Sequence, residues 1–265
     1  MTGNAEVGFR MNVMFMSELM GIYGVWLREV KVFFREKERI ISSIITPLLW
    51  LAALGSGLGA SVEFSGVNYQ EFVFPGIIAM NVLFVSLFFG VYIIWDRKLD
   101  FLKEVLVAPV SRTSVFIGKM LGGVTDGAIQ TGLLIIVATT LFGFKLSLFS
   151  AIATFLIAVY LGACLVSIGL IIGANLSSPE GFNLVMTFVM WPMFLFSGAL
   201  FPTTNLPGWL GIVIKADPLF YGVDALRQVM VGTGQYPIMF DLLVIGIVTL
   251  AGIFVGAFSF KRMQV

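Results

Sequence analysis

Residues 72–95 read FVFPGIIAMNVLFVSLFFGVYIIW, twenty-four positions without one charged side chain, and residues 96–104 follow as DRKLDFLKE. About 20 helical residues cross a hydrocarbon core. The first run is therefore long enough to span a bilayer, and the second, dense in charges of both signs, marks where the chain leaves it. A backbone in lipid must satisfy its own hydrogen bonds, which selects the helix. Working outward, five further apolar stretches occur at residues 40–60, 114–142, 148–174, 183–201 and 239–260. The expectation is an all-α membrane protein with six transmembrane helices.

Composition points the same way. Hydrophobic residues are 58% of the 265 and charged residues 12%, with a mean hydropathy of +1.00. Soluble domains carry about twice that charged fraction. A net charge of +1 offers no field for nucleic acid. Histidine is absent and Cys164 is the only cysteine. That excludes an intrachain disulfide, a Cys/His zinc site and a His-dependent catalytic triad. Cys164 lies in the fourth apolar stretch and reads as a small buried hydrophobe. The N-terminus shows no short apolar core ahead of a small-residue cleavage site, so no leader is expected.

Thirteen of the sixteen Lys and Arg residues fall before the first span, between spans two and three or just inside the third, and after the sixth. Only Lys145, Lys215 and Arg227 fall on the other side. The positive-inside rule then places both termini and the 96–113 loop in the cytoplasm of a multi-pass cell-membrane protein.

Residues 15–39 carry too much charge for a span. Phe15, Leu19, Ile22, Trp26, Val30 and Phe33 recur three or four residues apart, with Arg28, Lys31, Arg35 and Glu38 available for the wet side. This pattern predicts an amphipathic helix lying in the interface against membrane lipids. Residues 1–39 thus form a tail and interfacial helix ahead of a membrane domain at 40–265. In the 96–113 loop, Leu99, Leu102 and Leu106 recur at helical spacing among Asp96, Arg97, Lys98, Asp100, Lys103 and Glu104. A short amphipathic helix suited to docking is expected there, stopped by Pro109, with Ser111 or Thr113 capping the third span. The loops near 61–71 and 175–180 are short. Residues 202–238 contain Pro202, Pro207, Trp209, Pro218, Tyr221, Asp224 and Arg227, too apolar for a free loop and too broken for a span. They predict a helical hairpin dipping into the outer leaflet before the last span.

No phosphate loop occurs, since Gly118-Lys119 lacks the upstream glycine and the following Ser or Thr. Three motifs nevertheless carry a specific likeness. Phe74-Pro75-Gly76-Ile77-Ile78-Ala79-Met80 opens span two. Leu106-Val107-Ala108-Pro109-Val110-Ser111-Arg112 is followed by Gly118-Lys119. Ser197-Gly198-Ala199-Leu200-Phe201-Pro202 precedes Leu206-Pro207, Pro218-Leu219-Phe220-Tyr221 and Arg227. With these, nearly the whole chain resembles the permease subunits of the type-2 ABC transporter membrane family, and its 106–112 pattern and compact loops look closer to drug-resistance and lipo-oligosaccharide export permeases than to long-chain polysaccharide exporters.

The resemblance implies a non-catalytic half-transporter that pairs with a second permease copy. Two ATP-binding subunits would power it, holding ATP and Mg themselves, so no cofactor is expected on this chain. It implies a coupling helix after span two, carried by Asp96, Arg97, Leu99, Asp100, Leu102, Glu104, Leu106, Pro109 and Arg112. The hairpin residues Pro218, Tyr221, Asp224 and Arg227 would close the outer end. The expected pathway, for a drug, lipid or lipid-linked saccharide, is lined by Asn81, Phe84 and Phe88 of span two and Met186, Met190, Phe194 and Ser197 of span five.

Asp126 is the carboxylate placed within a predicted span, with Gln130 one turn on. A charged Asp at the bilayer centre costs roughly 3 kcal/mol. The apolar residues of that span return roughly 4–7 kcal/mol, so insertion survives. Such an acid is a candidate for cargo or proton contact, and the alternative to an ABC permease is an ATPase-independent transporter or channel using Asp126. An intramembrane enzyme lacks a paired-acid or nucleophile–base set. Asp224 and Arg227, three apart, could pair on one helical face. Gly162 and Gly169 give span four a small-residue face for close packing.

Overall fold

The computed structural model describes residues 2–58, 63–64, 67–99, 110–203 and 207–263. These residues form ten helices: α1 (Thr2–Arg35), α2 (Lys37–Leu58), α3 (Tyr69–Phe88), α4 (Val91–Lys98), α5 (Arg112–Phe142), α6 (Leu148–Asn175), α7 (Pro179–Phe196), α8 (Gly208–Ala216), α9 (Pro218–Val231) and α10 (Ile238–Arg262). A two-residue antiparallel pair, β1 (Glu63–Phe64) with β2 (Val67–Asn68), separates α2 from α3. The all-helical expectation is met apart from that small ladder. Among the described residues, five segments are long and apolar enough to cross a membrane: Lys37–Gly55, Tyr69–Lys98, Arg112–Phe142, Leu148–Asn175 and Ile238–Arg262. Helix α7, over the fifth stretch expected to span, has 18 residues and reaches about 27 Å at 1.5 Å per residue.

Helices α3 and α6 form the centre. Their inward faces bury Val73, Ile77, Leu83 and Leu87 against Leu161, Cys164 and Leu165. Helices α2 and α10 wrap the outside and leave Ile41, Ile45, Leu49, Leu243, Ile247, Leu250 and Phe254 exposed. Apolar side chains facing outward at helical spacing suit a lipid solvent, which has no reason to exclude them.

Span two is not one rod. Helix α3 ends at Phe88 and α4 restarts at Val91. The turn lies where the chain passes closest to α6: a Cβ on Gly90 would strike the Gly169 carbonyl, and one on Gly169 would meet the Leu87 carbonyl at 2.5 Å. The small-residue face expected on span four is therefore the surface onto which span two is pressed.

Helix α1 packs along α5. Val25, Glu29 and Phe33, one turn apart, are the buried face, while Leu19 stands exposed. This face lies on α5 at Gly118 and Gly122; a Cβ on Gly118 would sit 2.8 Å from Val25, and one on Gly122 would sit 2.6 Å from Glu29. Arg28, expected on the wet side, is drawn inward by two carboxylates. Helix α5 begins as expected, with the Ser111 hydroxyl accepting from the Ser114 N–H at 3.1 Å. Glu18 of α1 accepts from the Ser111 N–H at 3.0 and 3.1 Å. Hydrogen bonds from Ser114 and Ser111 hold its carboxyl below the ordinary carboxylate range.

Candidate functional site

A cleft of about 470 Å³ opens between α2, α3, α4 and α7, with Gln130 of α5 in its wall. Helix α2 contributes Arg39, Ser42, Ser43, Thr46 and Trp50, whose spacing of three, one, three and four keeps them on one face. From Arg39 to Trp50 that face rises about 16 Å. Helix α3 supplies Asn81, Phe84 and Phe88 one turn apart, α4 supplies Tyr92, and α7 supplies Trp191. The apolar wall is aromatic: Trp191 meets Phe84 edge-on with centroids 5.8 Å apart, and Phe88 and Phe182 lie 6.4 Å apart.

The polar end is built around Arg39. Its guanidinium donates to the Tyr92 hydroxyl at 2.8 Å and pairs with Asp126 at 3.3 Å and Glu36 at 3.4 Å. Tyr92 in turn donates to Glu36 at 2.5 Å, and the Arg39 cation sits 5.0 Å from the centre of the Tyr92 ring. Asp126 and Gln130 are fully enclosed. Asp126 Oδ1, both amide atoms of Gln130 and the Asn81 Nδ2 have no hydrogen-bond partner among the described residues. Buried polar atoms are ordinarily satisfied, so this end has unused donor and acceptor capacity.

Of the seven pathway residues expected from sequence, the structure brings Asn81, Phe84 and Phe88 into the cleft. Met186, Met190 and Phe194 lie on the face of α7 turned into the core of the chain. The Ser197 hydroxyl donates to the Phe194 carbonyl at 2.8 Å. The α7 side chain that reaches the cleft is Trp191, which the sequence reading missed, along with Arg39, Tyr92 and Trp50. A signal for α2 was present in its polar run: Arg39, Ser42, Ser43 and Thr46 recur on one face of an otherwise apolar span.

A second cluster joins α1, α4 and α5. Lys119 pairs with Glu29 at 2.9 Å and with Asp96, and Arg28 pairs with Asp96 and with Glu29, each at 2.8 Å. Glu29, Asp96 and Lys119 are at most 3% exposed. Among the described residues two cations here balance two carboxylates. A neutral buried cluster of this kind adds little over an apolar packing of equal volume, yet loses much if one member is removed. Its structural effect is to fix α1 against α5. Among the described residues no group of three or more His, Cys, Asp or Glu side chains could hold a metal ion.

The profile of one membrane-protein family, described as ABC-2 type transporter, matches residues 20–231. The chain belongs to this ABC-2 type transporter family. Three relatives are similar over most of their length. Nodulation protein J of Rhizobium meliloti (strain 1021) is 29% identical over 198 residues, 73% of this chain and 74% of that one. The inner membrane transport permease YadH of Escherichia coli (strain K12) is 27% identical over 239 residues, 86% of this chain and 91% of its own. Nodulation protein J of Neorhizobium galegae is 24% identical over 220 residues, 82% and 83% of the two chains. The protein is thus a multi-pass membrane permease subunit of the ABC-2 type, a family whose members act with an ABC ATP-binding subunit.

Within this ABC-2 permease, the residues expected to couple to the ATPase divide into three groups. Asp100, Leu102, Glu104, Leu106 and Pro109 lie outside the described residues. Asp96 is enclosed in the ion cluster and turned away from solvent, because Lys119 and Arg28 both reach it. Arg97 and Arg112 bind helix ends. Arg97 donates to the carbonyls of Gly173 at 2.9 Å, Ala174 at 3.4 Å and Leu176, and Arg112 donates to those of Phe260, Lys261 and Met263. Cations suit helix C-termini, where the last carbonyls are unpaired. Leu99 is exposed.

The segment before the last span forms two helices, α8 and α9, meeting at Asp217. Asp217 caps α9 by accepting from the Leu219 N–H at 2.9 Å, and Pro218 occupies the first helical turn. Burial raises the Asp217 carboxyl to about 7. The pairing envisaged between Asp224 and Arg227 is replaced by separate partners. Asp224 accepts from the Gln235 and Tyr236 N–H groups at 2.8–2.9 Å. Arg227 donates to the Gly198 carbonyl at 2.9 Å and stacks 4.1 Å from the centre of the Phe72 ring; burial lowers it to about 10. Tyr221 donates to the Lys215 carbonyl at 2.8 Å. The hairpin is thereby tied to the ends of α3 and α7.

Proposed function

We propose that two copies of this chain form the translocation pathway of an ATP-driven exporter for amphiphilic cargo such as a drug, lipid or lipid-linked saccharide, driven by two separate ATP-binding subunits. The observation that carries this reading is the cleft. It is aromatic along its length, polar at one end and open at the side, and the helices beside the opening present Ile45, Leu49, Leu184, Phe188 and Leu195 outward. A second copy set against α2 and α7 would close the cleft into a pathway. In this arrangement α7 is the fifth of six spans. The end bearing Arg28, Arg97, Arg112 and Arg262 is cytoplasmic by its charge, and the α8–α9 hairpin closes the outer end.

The cycle follows as a population shift. ATP-driven closure of the ATPases moves the 96–113 loop, the spans reorient, and cargo is moved because its affinity differs between the two arrangements. Reversing the charges at Asp100 and Glu104 is expected to weaken co-purification of the ATPase while leaving membrane insertion intact. Undiminished co-purification removes the coupling assignment. Transport by the chain alone in vesicles, at full rate and without nucleotide, would overturn the exporter reading in favour of a channel or secondary transporter.

A further inference from the structure

The balance of charge at the polar end of the cleft discriminates among cargo head groups. Arg39 is the only charged side chain among the described residues lining the cleft, and it is held by Glu36 and Asp126 together. Two carboxylates thus stand behind one guanidinium. The hydrogen bonds of Arg39 are directed to Tyr92 and those acids, which leaves it little capacity to bind an incoming anion. The unused groups of the lining are the acceptor Gln130 Oε1 and the donors Gln130 Nε2 and Asn81 Nδ2, with Asp126 Oδ1 also unpartnered behind Arg39. The walls add Trp50, Phe84, Tyr92 and Trp191, whose ring faces attract cations. Two carboxylates behind the one lining cation, the free Gln130 acceptor and the aromatic faces favour the same head group.

We infer that the cleft selects amphiphiles whose head is a protonated amine over those whose head is an anion. This rests on the cleft being the cargo pathway and adds the charge of the cargo to that reading. The apolar part of the ligand lies on the wall formed by Trp50, Phe84, Phe88 and Trp191. Its ammonium group sits at the Arg39–Tyr92 end, donating to Gln130 and drawn by the excess of carboxylate. A carboxylate or phosphate at the same place meets Glu36 and Asp126 behind Arg39, with no free cation among the described residues of the lining.

The test uses the purified chain in lipid nanodiscs and three probes that share one naphthyl group: 2-(2-naphthyl)ethylamine, 2-(2-naphthyl)ethanol and 2-naphthylacetic acid. Binding is read by equilibrium dialysis, with empty nanodiscs subtracting partition into lipid. The amine is expected to bind at least tenfold more tightly than the acid, with the alcohol between them. The double variant Glu36→Gln/Asp126→Asn should bring amine and acid within threefold of each other, and Gln130→Leu should weaken amine and alcohol alike. Glu36 is partly exposed, so Glu36→Gln alone serves where the double variant does not fold; it should reduce the amine-to-acid ratio at least threefold. Equal or tighter binding of the acid, or a ratio unchanged by these variants, overturns the inference. A separate arm keeps the two readings distinct. If the amine binds selectively yet neither stimulates ATP hydrolysis by the complex nor crosses the vesicle membrane, the exporter reading fails and the selectivity stands. If amine and acid are exported equally, the selectivity fails and the exporter reading stands.

Discussion

Replacing Lys119 by Met tests whether the ion cluster holds α1 in place. The Lys119 ammonium contacts both Glu29 and Asp96, and all three side chains are nearly inaccessible. Without it, Arg28 is left to balance two enclosed carboxylates. Removing one partner of a buried ion pair costs about 3–5 kcal/mol. In a chain of this size each kcal/mol shifts the melting temperature by about 2–4 °C, so Lys119→Met is expected to lower Tm by roughly 10 °C. Cys164 supplies the assay, being the sole cysteine and buried in α6: a thiol-reactive dye stays dark until the bundle opens on heating. The double variant Glu29→Gln/Lys119→Met keeps the Arg28–Asp96 pair and removes one charge of each sign from the described cluster. It should recover at least half of the lost Tm, because residues in one network are not additive. A single variant melting within about 3 °C of wild type, or a double variant that loses the sum of the two single effects, would refute the reasoning.

Further outcomes follow from other contacts. Gly169→Leu should reduce the yield of monodisperse protein sharply, since even a Cβ there meets the Leu87 backbone at 2.5 Å and overpacking costs about 1–3 kcal/mol or more; normal yield and Tm would show that α3 can move aside. Asp217 is raised to about 7 in the folded chain, above an unfolded value of about 3.9. The folded state therefore binds that proton more tightly, and the contribution of Asp217 is full below pH ~4 and lost as pH rises through 7. Hydrogen exchange in α9, corrected for intrinsic rate, should thus show less protection at pH 8 than at pH 6. Asp217→Asn, which keeps a capping side chain, should flatten that difference, and an unaltered slope removes Asp217 as its source. Asp126→Asn leaves Arg39 paired with Glu36 alone and is expected to slow ATP-driven transport. Unchanged turnover at equal expression would assign Asp126 to packing.

The membrane helices were legible because lipid demands length and apolarity together. The stretches at 114–142, 148–174 and 239–260 match α5, α6 and α10 to within a few residues. Ser111 was readable as a cap because capping is local. The fate of Asp96 was not. Dense charges at 96–104 read as the polar side of a docking helix, but Asp96 is neutralised by Arg28 and Lys119, and no sequence window contains partners 68 and 23 positions away. The seat of α1 was not legible for a related reason. Its apolar stripe reads from spacing within the helix, whereas the surface that receives the helix is the glycine pair Gly118 and Gly122, more than eighty residues further along the chain. Along α7 the buried faces of Met186, Met190 and Phe194 were recognisable as one stripe. Which stripe meets the cleft depends on the rotation of the helix against α3, and Trp191 lies one step round.

Arg97 has a consequence for how the bundle yields. Helices ordinarily fray from the last turn, where carbonyls lack donors. At the end of α6 those carbonyls are taken by a guanidinium from another span. Unwinding there must first unmoor α4, and a tug on the chain beyond Lys98 arrives at α6 without slack.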